Sequence, residues 1–174
     1  MPEYLYHYTS VNTLALILKS KSIRLSPLSS VDDLTECLSA DEVNYGQYVF
    51  VTCWTSDEEE SIPFWKMYTP DMTGVRLKVP TSMFEGYEFK PDPSLPVNIV
   101  DSGKYAVPIE EVLSKSYMVW PESANRFFAI EYVESVERIE KKIHKIQPDG
   151  SHTVALGEIG RQKTKHWEFQ KRES

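Results

Sequence analysis

The chain has 174 residues, 41% apolar and 12% aromatic, with four tryptophans spread along its length. It can therefore bury a core and is expected to fold as a single domain spanning 1–174 rather than to stay disordered. A net charge of -7 argues against long non-specific tracking along DNA or RNA, which depends on Lys and Arg neutralising phosphates.

The charge is uneven. Residues 1–137 carry 10 basic and 21 acidic groups, whereas residues 138–174 carry 9 basic and 5 acidic, so a polyanion, if bound, is expected at the C-terminal part. Cys37 and Cys53 fit no C-x-x-C or Cys/His metal spacing and are expected to be reduced and buried, with no metal site. The N-terminus has no basic and apolar leader pattern, and no apolar run approaches the ~20 residues that span a bilayer. The expectation is a cytoplasmic protein with no membrane partner.

Tyr4 to Tyr8 is β-prone and places Leu5 and His7 on one face and three tyrosines on the other. Thr9 and Ser10 can cap the segment Val11–Lys19, where Val11, Leu14, Ile17 and Leu18 recur at helical spacing. Ile23–Leu25 predicts a brief strand before the Ser26-Pro27 turn. Residues 31–60 then hold nine carboxylates and no Lys or Arg, so much of this stretch faces water.

Within it, Tyr48–Trp54 is apolar on both alternating faces, which predicts a central strand. Pro63 opens a short helix through Trp65 and Tyr68, and Gly74 leads into the alternating strand Val75–Val79. Four prolines make 85–108 irregular, with one strand at Val97–Val100. Phe127–Tyr132 predicts another strand, Val133–Ile146 a helix, and Trp167–Gln170 a strand with Trp167 and Phe169 toward the core. The fold class expected is α+β, a compact mixed and mainly antiparallel sheet with few helices.

The chain contains no P-loop, no G-x-G-x-x-G, no H-E-x-x-H and no G-x-S-x-G, which removes the kinase, Rossmann, zincin and hydrolase readings. What remains is polar chemistry at strand ends. His7, Tyr8 and Thr9 put an imidazole and hydroxyls where vicinal ribose hydroxyls could be bound, Ser56 follows the middle strand, and Trp54, Trp65 and Tyr68 are flat rings able to stack on a base.

The blocks Tyr6-His7-Tyr8-Thr9-Ser10, Ile23-Arg24-Leu25-Ser26, Asp32-Asp33-x-x-Glu36, Val51 to Ser56, Trp65-x-x-Tyr68 with Gly74, and Lys163-x-x-x-Trp167-x-Phe169-Gln170 together resemble an uncharacterised bacterial family. That family is in turn similar to the ADP-ribosyltransferase fold of toxin and phage-defence proteins. The resemblance covers nearly the whole chain.

It implies NAD as substrate, a macromolecular ADP-ribose acceptor of protein or nucleic acid, and a potential antitoxin partner. It also implies that His7 with Thr9 anchors NAD, that Tyr68 or Trp54 stacks near nicotinamide, and that the strand from Trp167 carries the catalytic group among Gln170, Arg172 and Glu173. The chain departs from the family pattern in three places. Asp32-Asp33-Leu34 stands for Asn-Asp-Pro, Arg172 stands where a catalytic glutamate is expected, and no strand follows the last block.

Arg172 matters chemically. Departure of nicotinamide leaves an oxocarbenium-like ribose that a carboxylate stabilises and a guanidinium opposes. Glu173 reaches the same face only if a bulge shifts the register. The alternatives to a transferase are a non-catalytic NAD or ADP-ribose sensor, and a protein-interaction module using the acidic stretch 31–60.

Overall fold

The computed structural model describes residues 2–83, 86–90, 103–112 and 127–165. The β-prone start forms β1, Tyr4–Ser10, and Ser10 then caps the helix α1, Val11–Ser20, its Oγ accepting from the Thr13 N–H at 3.0 Å. Lys21, at φ 54°, closes α1 in the left-handed conformation with its N–H on the Ile17 carbonyl. No residue of α1 is buried, so its apolar stripe is not a core face.

The short strands β2, Ser26–Pro27, and β3, Phe50–Val51, pair antiparallel. Ile23–Leu25 is not a strand. The predicted central strand at 48–54 is reduced to β3 and one further bridge in which Thr55 and Tyr6 exchange both backbone hydrogen bonds, at 2.8 and 3.0 Å. Phe50 is 57% exposed, so alternation of apolar residues on both faces did not here mark a strand covered on both sides.

The bridge has a positional consequence: it lays Cys53–Thr55 alongside β1. On the other side β1 is hydrogen-bonded to β4, Gly74–Pro80. Between Thr55 and β4 in the chain comes α2, Ile62–Tyr68, started by Ser61 as N-cap and Pro63 in its first turn.

The chain divides into two units, residues 1–5 with 79–127, and 6–78 with 128–174. In the first, β5, Tyr87–Phe89, and β6, Gly103–Tyr105, form an antiparallel pair, and α3 covers Ile109–Val112. Its core holds Phe89 and Val112, with Phe89 stacked on Tyr105 at 4.7 Å. The Val97–Val100 strand prediction lies outside the described residues.

In the second unit β7, Glu131–Val133, runs parallel to β10, Gln162–Thr164, with Lys163 opposite Tyr132. The helix expected over 133–146 is not formed. A 3-10 turn occupies Val136–Arg138, and β8, His144–Ile146, pairs antiparallel with β9, His152–Val154.

The spacing of Ile139 and Ile143 reflects burial of separate turns and strands rather than one helical face. Both are buried, Ile143 in a cluster with Leu28, Cys37 and Ile159. The Asp41 carboxylate accepts from the Ile143 N–H at 2.8 Å and so fixes the start of β8. The result is a mixed α/β architecture of few short helices and small, largely antiparallel sheets.

Candidate functional site

The period of two along β1 separates its side chains into two sets with different work. Tyr6 and Tyr8 are buried on one face. The Tyr8 hydroxyl accepts from the Ser61 N–H at 2.9 Å, and the ring packs edge-on against Phe64 and Trp65 at 5.3 and 5.1 Å. Tyr8 therefore holds the start of α2 against β1.

Tyr6 lies under the Arg76 guanidinium, 3.9 Å from the ring centre. Arg76 donates to the Asp57, Glu58 and Glu59 carbonyls at 2.5, 2.7 and 3.1 Å and so gathers the acidic turn onto β4. Tyr6, Glu58, Glu60, Arg76 and Lys78 enclose an open cavity of about 290 Å³, in which Glu58 is bonded to Tyr6 and Lys78. Trp65 also points to this side, its indole N–H donating to Glu60 at 3.2 Å.

His7 and Thr9 belong to the other face. His7 is half-buried, its Nδ1 lies 2.9 Å from the Cys53 carbonyl oxygen, and its ring packs at 4.9 Å on Trp54. A carbonyl only accepts, so Nδ1 carries the hydrogen and Nε2 keeps a free lone pair in the neutral ring. Burial holds the His7 pKa below the usual histidine range, with the Cys53 hydrogen bond opposing it. Thr9 is buried, and Ser56 is exposed beyond the bridge.

A second group of residues meets the same segment. Glu36, in the 3-10 turn Leu34–Cys37, is 2.8 Å from the Lys163 ammonium of β10, and both side chains are almost fully buried. Asp33 is buried beside them, its Oδ1 capping the turn through the Thr35 N–H at 2.9 Å. Burial raises the Glu36 pKa, the Lys163 charge opposes it, and the neighbouring Asp33 and Asp32 carboxylates raise it further.

The Tyr68 phenol is pushed upward by burial first, then by Cys53, Asp32, Glu36 and Tyr132. Cys53 in turn lies within electrostatic reach of Lys163, Glu36 and Asp32. Cys53, expected to be buried, is exposed, and its contact with this face is made by its backbone carbonyl on His7.

The structure brings His7 and Trp54 together, while Tyr8 and Trp65 pack on the opposite face of β1, and Tyr68 packs at 5.6 Å on Phe64, itself a neighbour of Tyr8. Gln170, Arg172 and Glu173 lie outside the described residues, as do Trp167 and Phe169. Sequence reasoning placed Glu36, Cys53 and Lys163 in the blocks that carry the family resemblance but gave none of them a role in the site. The readable signal for Glu36 was a carboxylate set among Leu34, Cys37 and Leu38 in an otherwise solvated acidic stretch.

Among the described residues, no three His, Cys, Asp or Glu side chains gather to hold a metal ion, and no helix is long and apolar enough to cross a membrane. No family model matches the chain, and neither a curated protein nor a solved structure matches it.

Proposed function

We propose that the face of β1 carrying His7 and Thr9 binds NAD, and that the chain is an NAD-dependent ADP-ribosyltransferase acting on a macromolecular acceptor. The observation that carries this reading is the His7 tautomer. An imidazole locked with Nδ1–H on a backbone carbonyl offers Nε2 as an acceptor for a ribose hydroxyl. The Trp54 ring beside it supplies a flat surface for a base or nicotinamide.

In this reading the bond between ribose C1 and nicotinamide breaks, nicotinamide leaves with the bonding pair, and an acceptor nucleophile bonds to C1 and gives its proton to water. Positive charge develops on the ribose as the leaving group departs. A carboxylate nearby lowers that barrier, and removing one preorganised group of this kind typically costs about 2.7–4 kcal/mol.

Arg172 stands at the position where the resemblance expects that carboxylate. This favours a second reading, a non-catalytic protein that holds NAD or ADP-ribose. Nicotinamide release from NAD separates the two. We expect Arg172→Glu to release nicotinamide roughly 100- to 1,000-fold faster than the chain itself. Glu173→Gln, run alongside at matched melting temperature, tests whether a bulge brings Glu173 to the reacting carbon. Equal background release from all three proteins sinks the transferase reading and leaves the binding one.

A further inference from the structure

The β8–β9 hairpin carries a histidine pair that the nucleotide reading does not use. In its register His144 faces Val154 and Ile146 faces His152, so His144 and His152 are diagonal neighbours on one face of the ribbon. Their Nε2 and Nδ1 atoms are 2.8 Å apart, and the ring centres 5.0 Å apart with the planes inclined by 27°. The centre-to-centre distance exceeds the nitrogen separation by about two ring radii. The nitrogens therefore lie nearly on the line between the rings, edge to edge, with one hydrogen shared in the gap.

His152 is exposed and His144 half-buried, so both rings can pivot. Strand pairing fixes their backbones, with Gln147 bonded to Thr153 at 3.2 Å near the same turn. The two nitrogens now point at each other across the shared hydrogen, and turning both rings about their side-chain bonds is what would aim them at one ion.

We propose that His144 and His152 bind one divalent first-row transition metal ion, bridging the two strands of the hairpin. Metal–imidazole bonds of about 2.0–2.1 Å span about 2.9 Å when the two nitrogens are cis in a square or octahedral arrangement, and about 3.4 Å in a tetrahedral one. The rings must turn from their hydrogen-bonded arrangement to reach either geometry, so the choice of metal follows the general affinity order for imidazole ligands, with Cu²⁺ above Ni²⁺.

Coordination requires both facing nitrogens to be bare. The ring that donates the shared hydrogen moves it to its other nitrogen, and a neutral pair therefore binds without net proton release. Lys145 projects from the opposite face of β8 by strand alternation, and the Asp41 carboxylate is engaged with the Ile143 and His144 N–H groups, so water fills the remaining positions.

The test is a Ni²⁺ titration of the untagged full chain at pH 7.5 in a non-chelating buffer, read by calorimetry and by residue-resolved NMR broadening. His144→Gln, His152→Gln and the double variant run in parallel. The proposal predicts one Ni²⁺ per chain, broadening centred on 144–146 and 152–154, tenfold or greater loss of affinity in each single variant, and tighter binding of Cu²⁺ in the same assay. Unchanged affinity in the double variant, broadening centred elsewhere, or no binding at millimolar Ni²⁺ overturns it. None of these outcomes depends on whether the chain binds NAD.

Discussion

The Nδ1 of His7 and the carbonyl oxygen of Cys53 are 2.9 Å apart, and this contact fixes which imidazole nitrogen is free. It also sets a pH dependence. An unfolded histidine titrates near about 6.5, whereas burial lowers the folded His7 value, so the unfolded state takes up the proton first as pH falls. Folding stability should be flat above pH 7, decline as pH drops below about 6.5, and level off once the folded imidazole is itself protonated. Urea unfolding of the chain and of His7→Gln at pH 7.5, 6.5 and 5.5 measures this. The decline should be shallower in the variant, and equal slopes would show that His7 is not the titrating group.

The Glu36–Lys163 pair is buried at both ends, so removing one partner strands a charge. Lys163→Met should destabilise by about 3–5 kcal/mol. Joint replacement as Glu36→Leu with Lys163→Met should recover most of that loss, because the desolvation of both ions is relieved together. The single variant has a further signature. With Glu36 held above its ordinary value in the folded state, the folded chain binds the proton more tightly, and stability rises as pH falls through that raised pKa toward the unfolded one. Denaturant curves between pH 7 and 5 would expose this. A loss that deepens on acidification would contradict the assigned burial.

Gly74 begins β4 where a side chain has no room. A Cβ there would lie 2.4 Å from Thr69 Cγ2 and 2.6 Å from the Thr9 carbonyl oxygen, and the second of these is backbone that cannot rotate away. Gly74→Ala should therefore cost about 1–3 kcal/mol through displacement of β1 against β4. If NAD binds on the His7 and Thr9 face, the same substitution should weaken it. Wild-type stability in a thermal scan of the alanine variant would mean that the close approach at Thr9 is absent in solution.

Local signals carried the elements that chain chemistry alone decides. Ser10 before Val11 is a cap position whose side chain satisfies a helix N–H, Pro63 suits a first helical turn, and α1 and α2 begin at these places. Val75, Leu77 and Val79 alternate, and β4 covers them. Where tertiary pairing decides, the pattern misled. Ile139, Ile143 and Ile146 have helical spacing, yet His144–Ile146 pairs with His152–Val154 across the Asp149-Gly150 turn, and a non-local partner overrides the period.

At the site, His7 and its face were readable from strand alternation. Its tautomer was not, because the Cys53 carbonyl comes from a segment 46 residues away, brought alongside by the Thr55–Tyr6 bridge. Glu36 and Lys163 were invisible as a pair for the same reason: two charged residues far apart in sequence become a buried unit only when the Leu34–Cys37 turn meets β10.

Ligand-induced stabilisation tests the central claim most directly: thermal scans of the chain and of His7→Ala with millimolar NAD, ADP-ribose or nicotinamide. A ligand at 100 times its dissociation constant adds about 2.7 kcal/mol, a rise of several degrees for a domain of this size. The account predicts such a rise with NAD or ADP-ribose for the chain, and none for a His7→Ala variant that still unfolds cooperatively. No shift with any of the three ligands would contradict it.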